Sequence, residues 1–156
     1  RFMMLSRSND VELDFDFEKV TEKSKDNPVF YVQYAYARIN SLLRTLKINF
    51  VKKIEIDEID FKLNEMEEKI IRKVFEWPKI IESATRKFDL HKIPFYLYEL
   101  STLFHAYWSK GNEDKRYKFI ENEKIKRKEI LAIINLVAIV IKNGMGILDV
   151  SLPKKM

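Results

Sequence analysis

The hydrophobic positions of this chain recur mostly at the three- and four-residue spacing of an α-helix, between residues that start and stop helices. Proline is tolerated in the first turn of a helix, so the prolines mark plausible starts. The pattern predicts helices from about Glu18 to Asn27, from Pro28 to Lys53, over residues 55–77, from Pro78 to Phe88, from Pro94 to Gly111 and from Lys126 to Lys142. Residues 112–124 are a polar connection with at most a short helical turn, and no convincing run of strands is present. The predicted fold is an all-α bundle of about five or six helices.

The helix predicted from Pro28 carries two separate stripes of side chains. Six apolar side chains fall within about 80° of arc, which is typical of a core-facing stripe. They are Val32, Tyr36, Ile39, Leu43, Leu46 and Phe50. Tyr31, Tyr34 and Arg38 form a second stripe about 130° away.

The second stripe allows two interpretations. Two phenol rings beside a guanidinium can stack on unpaired bases while the arginine holds a phosphate or a base edge. The same tyrosines could instead pack against a neighbouring helix, with Arg38 paired to a glutamate. The sequence pattern leaves both interpretations open.

A second aromatic cluster lies in the helix predicted from Pro94. Most of its rings are expected in the core, because one stripe collects Ile93, Leu97, Leu100, Phe104 and Trp108. Tyr107 and Trp108 are expected in the final turn beside Lys110, where the helix meets solvent. His105 is expected to be a hydrogen-bonded packing residue, since no serine, aspartate or cysteine pattern gives it a catalytic partner.

The amino-acid composition excludes several kinds of site and argues against a membrane protein. The 156 residues are 46% hydrophobic and 34% charged, as in a soluble globular domain, and they include no cysteine. Disulfides, thiolate metal sites and a cysteine nucleophile are therefore excluded, and a cytoplasmic location is expected. The apolar run 130–141 is shorter than the ~20 residues of a bilayer span, so we expect a core helix and no membrane partner. The first residues lack an initiator methionine and a signal-peptide layout, and we expect the chain to be a piece of a longer protein.

The charges are unevenly distributed along the chain. Residues 27–53 hold five basic side chains and no acidic one, whereas residues 54–76 hold eight acidic and four basic side chains. This segregation favours a polyanionic partner, and Arg44 and Lys47 are expected to follow its phosphates. The carboxylates near residues 12–18 and 55–60 alternate with apolar residues and lack the glycine turn of a calcium loop, so no metal site is expected. We find no catalytic constellation and no glycine-rich phosphate loop.

Four segments resemble, in order, the C-terminal part of arginyl-tRNA synthetase. They are "RFMMLSRSNDVELDFDFEKV", "DNPVFYVQYAYARI", "FYLYELSTLFHAYW" and "KNGMGILDVSLPKKM". The resemblance implies an all-helical anticodon-binding domain over residues 17–156, preceded by the end of the catalytic domain over residues 1–16. It implies that Tyr31, Tyr34 and Arg38 line the anticodon pocket, and that Trp108 and Met156 close it. Together with Tyr107, Arg44 and Lys47, these are the eight residues that we expect to bind the tRNA.

Enzymes of this family join arginine to its tRNA with ATP and Mg²⁺. The ATP-binding motifs that this reaction needs are not in this sequence. The chain is therefore expected to bind arginine tRNA without charging it and to hold no cofactor, working with its own catalytic domain. Three residues depart from the family pattern: Tyr36 stands where histidine is usual, Trp108 where tyrosine is common, and Lys154 where an acid is usual. The alternatives are a helical tRNA-binding appendage of the cysteinyl or methionyl branch, or a protein–protein docking bundle without catalytic activity.

Overall fold

The computed structural model describes residues 1–8, 11–12, 15–24, 26–48 and 62–156. These residues form seven α-helices, one 3-10 helix at Lys115–Tyr117 and one β-hairpin. The helices are α1 (Phe2–Leu5), α2 (Phe17–Thr21), α3 (Pro28–Thr45), α4 (Glu65–Phe75), α5 (Trp77–Lys87), α6 (Lys92–Glu113) and α7 (Lys128–Ile147). The predicted all-α bundle is confirmed.

The core lies where α3, α4, α6 and α7 pack against one another. The predicted core stripe of α3 is confirmed, because Val32, Tyr36, Ile39 and Leu43 are buried and Leu46 packs against the same cluster. Phe50, the last member of that stripe, lies outside the described residues. Burying one face of α3 in this way leaves its other stripe at the edge of the bundle.

Polar caps set the starts of α3 and α4, and a left-handed residue follows the end of α3. Helix α3 begins where predicted, with the Asn27 side chain accepting from two backbone N–H groups. It ends at Thr45 rather than Lys53, because Lys47 adopts a left-handed conformation (φ 54°) and breaks the helix. Helix α4 begins at Glu65, since Asn64 and Glu67 form a capping box. The earlier part of the predicted helix, residues 55–61, lies outside the described residues.

Gly111 and Gly144 lie at or just beyond the predicted ends of two helices, where glycine commonly stops a helix, but both are inside the helices. Helix α6 continues through Gly111 to Glu113, and α7 continues through Gly144 to Ile147. A Cβ at Gly111 would lie 2.9 Å from the carbonyl oxygen of Tyr117, and one at Gly144 would lie 2.7 Å from the Leu97 side chain. Both glycines allow a neighbouring segment to pack closely against the helix. The predicted helix ends are wrong, because each helix continues past its glycine. Helix α6 also begins at Lys92, two residues before Pro94.

The polar connection between α6 and α7 contains a hairpin that the pattern did not reveal. Strands β1 (Ile120–Glu121) and β2 (Lys124–Ile125) pair antiparallel, and the intervening Asn122 and Glu123 both have positive φ. Two consecutive left-handed residues form the type of tight turn that matches strand twist. The segment entering this hairpin places the Phe119 ring 5.3 Å from that of Trp108.

Helix α7 is longer than the apolar run suggested. Its 20 residues are apolar enough to cross a membrane by length and composition alone, a test that the core helix of a soluble bundle also passes. In the structure, α7 packs against α3, α4 and α6, and 61% of its most apolar window is buried. The expected role as a core helix agrees with this packing, although the predicted end at Lys142 is wrong.

Candidate nucleic-acid interface

A groove of about 410 Å³ lies between α3, the C-terminal part of α6 and the last residues of the chain. Its aromatic and charged lining consists of Tyr34, Arg38, Arg44, Trp108 and Lys155, and the apolar Met156 lines it as well. The structure therefore brings together five of the eight residues that the sequence singled out: Tyr34, Arg38, Arg44, Trp108 and Met156. They come from three separate parts of the chain.

Arg38 is the charged centre of the groove. Its Cζ lies 4.4 Å from the centroid of the Tyr34 ring and 4.9 Å from that of Trp108, which places the guanidinium over two aromatic faces. Its Nη2 donates to the Tyr34 hydroxyl at 2.6 Å. The hydrogen bonds of Arg38 among the described residues go to a phenol and an imidazole rather than to a glutamate. Its positive charge is therefore not cancelled by these partners.

The imidazole partner of Arg38 is His105, which is only 6% exposed. The Nη1 of Arg38 donates to Nδ1 of His105 at 3.2 Å, and Nε2 of His105 donates to the carbonyl oxygen of Tyr31 at 3.2 Å. Burial lowers the pKa of His105 to about 4, and the charge of Arg38 acts in the same direction. The expected packing role is confirmed, but the bond to Arg38 was missed, since 67 residues separate the two.

The two tyrosines of the second stripe of α3 have different environments, and neither ring is fully open. Tyr34 lines the groove, with its ring 5.4 Å from the imidazole of His105. Tyr31 is half-buried, with its ring 4.4 Å from that imidazole and 5.3 Å from the ring of Tyr98. This burial raises the pKa of the Tyr31 phenol. Of the two interpretations of this stripe, packing against a neighbouring helix describes Tyr31, which contacts α6, whereas Tyr34 lines the groove.

Tyr107 does not reach solvent. Its side chain is 0% exposed, its ring lies 4.5 Å from Phe119, and its hydroxyl donates to the Glu67 carboxylate at 2.5 Å. Arg127 donates to the same carboxylate, so this cluster joins α4, α6 and the start of α7. Burial raises the pKa of the Tyr107 phenol. The expectation of a solvent-facing ring is wrong, because α6 runs on to Glu113 and the hairpin segment covers Tyr107.

The last residues of the chain are held along α3 through their main chain. The Gln33 amide donates to the carbonyl oxygen of Ser151 at 2.8 Å, and Nη1 of Arg44 donates to that of Lys154 at 2.7 Å. These contacts place Lys155 and the 48%-exposed Met156 at the groove. Gln33 was missed by the sequence reasoning, where its only mark was its place inside "YVQYAYAR". Arg44 uses one donor on the tail, and Lys47 is exposed beyond the end of α3.

The described part of the chain contains no cluster of three or more histidine, cysteine, aspartate or glutamate side chains that could hold a metal ion. What the groove offers is a guanidinium, ring surfaces and an apolar wall. That combination suits a planar, anionic partner better than a small polar metabolite.

Comparisons with known proteins agree with this chemistry. Residues 32–156 match the DALR anticodon binding domain. The arginine–tRNA ligase of Pelagibacter ubique is 49% identical over 156 residues, which is all of this chain and 27% of that protein. The arginine–tRNA ligase of Rhizobium meliloti is 41% identical over 164 residues, covering all of this chain and 28% of that protein. The chain thus spans about a quarter of the length of these relatives.

Solved structures show the same fold. A Campylobacter jejuni structure described as an arginyl-tRNA synthetase superposes with a TM-score of 0.81 at 26% identity, over 99% of this chain and 32% of that one. The Thermus thermophilus arginyl-tRNA synthetase superposes with a TM-score of 0.74 at 19% identity, over 99% of this chain and 25% of that one, which shows the fold alone. The resemblance noted in the sequence is confirmed. Because the family match covers most of its length, the chain belongs to the DALR anticodon-binding domain family.

Proposed function

We propose that this chain is the anticodon-recognition module of an arginine–tRNA ligase. It binds arginine tRNA so that a catalytic part can attach arginine in an ATP-dependent reaction. The observation that carries the proposal is the groove in which the Arg38 guanidinium lies over Tyr34 and Trp108 without a carboxylate partner among its described contacts. The family description and the names of the relatives support it.

Each kind of side chain in the groove has a different role in binding tRNA. Trp108 and Tyr34 offer ring surface to unstacked anticodon bases, and the remaining donors of Arg38 bind base edges or phosphate. Met156 closes the groove on the side of the chain's last residues. Arg44, Lys47 and Lys155 supply positive charge along the phosphate path. Tyr31 contributes from behind the groove, where it supports His105.

The other elements of the proposal follow from the same assignment. Residues 17–156 form the tRNA-binding module, and residues 1–16 are the end of the catalytic domain, its partner in the same chain. The catalytic domain uses ATP and Mg²⁺, and the protein acts in the cytoplasm, where tRNA is charged. Phe2 of α1 is buried in the bundle, which gives the preceding domain a rigid attachment.

Filter binding of the chain to an arginine tRNA across a salt series tests this function. Phosphate contacts predict that the logarithm of affinity falls linearly with the logarithm of salt concentration, with a slope of roughly −0.7 per single-stranded contact. A transcript with an exchanged anticodon is the control, and it should bind at least about tenfold more weakly. Affinity that ignores both salt and anticodon would instead support the protein-docking alternative.

A further inference from the structure

We propose that His105 is a positioning residue for Arg38, holding its guanidinium in one orientation within the groove through a tautomer selected by the main chain of α3. The proposal rests on the proposed function, because it assigns a means of specificity to the same groove. It concerns a residue on α6 that contacts Arg38 but is not among the residues lining the groove.

The two contacts of the imidazole require the same protonation state. A guanidinium has only donors, so Nδ1 of His105, at 3.2 Å from Nη1 of Arg38, must accept. A carbonyl oxygen only accepts, so Nε2, at 3.2 Å from the oxygen of Tyr31, must carry the hydrogen. Both requirements are met by one neutral tautomer, with its hydrogen on Nε2.

This tautomer fixes the orientation of the arginine fork. His105 holds Nη1, the Tyr34 hydroxyl holds Nη2, and the rings of Tyr34 and Trp108 face the guanidinium. Two of the five N–H groups of Arg38 are thereby used, and three remain for a ligand. A free arginine side chain would lose conformational entropy on binding RNA, whereas this one is already ordered. The fixed fork can therefore distinguish base edges, rather than only attract phosphate.

Two substitutions at His105 separate positioning from simple packing. Asparagine places a polar atom near the position of Nδ1 and keeps an acceptor for Arg38, whereas glutamine extends towards the position of Nε2 and leaves Arg38 without one. We expect H105Q to weaken binding of arginine tRNA about tenfold and H105N to weaken it less than about threefold. The matched control is H91Q, since His91 lies at the opposite end of α6 and contacts Phe95. It should bind like the parent.

A double variant tests whether His105 acts through Arg38. If it does, H105Q combined with R38A binds no more weakly than R38A alone, because the guanidinium that His105 positions is gone. Parent-like binding by H105Q would overturn the proposal. So would equal losses in H105N and H105Q, or a loss by H105Q that adds in full to that of R38A.

The tautomer can be read in the parent protein without any substitution, which decides the matter if H105Q fails to fold. Long-range ¹H–¹⁵N spectra of the free chain should show a single neutral imidazole at His105 with its hydrogen on Nε2. A hydrogen on Nδ1, or a mixture of tautomers, would overturn the proposal. Because this measurement needs no RNA, failure of the chain to bind arginine tRNA would reject the proposed function separately.

Discussion

Arg38 is a cation whose hydrogen-bonding partners, a phenol and a neutral imidazole, do not neutralise it. Both are polarisable rings, and Trp108 adds a third aromatic surface. The site therefore holds its arginine through uncharged hydrogen-bond acceptors and ring faces, and the positive charge remains for an incoming anion. An arginine paired with a carboxylate would first have to lose that partner, at a cost in affinity.

Lysine at position 38 would keep the charge and lose the planar fork. We expect R38K to weaken binding of arginine tRNA by about 1.5–3 kcal/mol, because a point charge cannot replace directed hydrogen bonds from a fixed guanidinium. The salt slope should stay near that of the parent, since the number of positive charges is unchanged. The control is R86K on α5, where Arg86 is exposed and paired with Glu82. Parent-like affinity of R38K at equal salt would contradict the need for a fork.

His105 also makes stability depend on pH. Its pKa is lowered from 6.5 to about 4 in the folded chain, so between these values the unfolded chain binds more protons. Stability therefore rises with pH across this window and is lost as pH falls from about 6.5 towards 4. The shift corresponds to at most about 3 kcal/mol.

Urea unfolding of the parent and of H105N at several pH values from 4 to 7 measures this contribution. Carboxylates change the stability of both proteins alike, so the difference between the two curves isolates the histidine. The parent should lose more stability than H105N on acidification. Parallel curves would show that the imidazole is not held neutral.

At the scale of the elements, two glycines in α7 make opposite predictions. A Cβ at Gly144 would lie 2.7 Å from the Leu97 side chain and 3.0 Å from the Trp77 ring, and Leu97 is fully buried, so any shift of its methyl groups would disturb the packing around them. We expect G144A to destabilise the chain by about 1–3 kcal/mol through overpacking. Gly146, two residues on, has open space at that position, so G146A should stabilise by up to about 1 kcal/mol through helix propensity.

Chemical denaturation measures the free energies of unfolding of G144A, G146A and the parent, and so tests both predictions. The substitutions are identical, and they lie two residues apart on one helix, so propensity alone predicts the same sign for both. Stabilisation by both would mean that the contact between α6 and α7 at Gly144 yields easily.

Local chemistry in the sequence predicts the start of α3 correctly, whereas glycine is a poor guide to the ends of α6 and α7. Pro28 and Asn27 specify a start by local chemistry, and the structure has it there. Gly111 and Gly144 look like stops, yet each permits a close approach by residues that sequence spacing does not reveal. The hairpin turn at Asn122 and Glu123 also lacks the glycine that usually marks such turns.

Some contacts of the groove can be predicted from the sequence, and others cannot. Tyr34 and Arg38 lie one turn apart on a single helix, so their proximity follows from helical periodicity. The contact of His105 with Arg38 and the burial of Tyr107 depend on how distant segments pack. The stripe on α3 could therefore be predicted from the sequence. The packing of distant segments, which decides whether each candidate residue lines the groove or lies in the core, could not.

At the scale of the whole molecule, the groove depends on contacts between α3 and the last residues of the sequence. Gln33, in the second turn of α3, holds the carbonyl oxygen of Ser151 across 118 residues of sequence. Arg44 holds the carbonyl oxygen of Lys154 further along the same helix. The side chains of Lys155 and Met156 are free of these contacts, which use only main-chain oxygens, and they form one wall of the groove.

If this wall must be held in place, releasing it should weaken binding even when all its side chains remain. We expect Q33A to lower the affinity for arginine tRNA about three- to fivefold, which corresponds to one exposed hydrogen bond. The control is N40A. It removes an amide from the same helix, and that amide donates within the helix to the carbonyl oxygen of Tyr36. Filter binding at one salt concentration measures both variants.

A combined variant identifies the route by which Gln33 acts. K155A/M156A removes the wall itself, so adding Q33A to it should cost nothing more if Gln33 works by holding the last residues. Full additivity would mean that Gln33 contacts the RNA directly, and parent-like binding by Q33A alone would mean that the wall needs no anchor. Non-additivity, with N40A unchanged, would show that α3 and the last residues of the sequence act as one binding element.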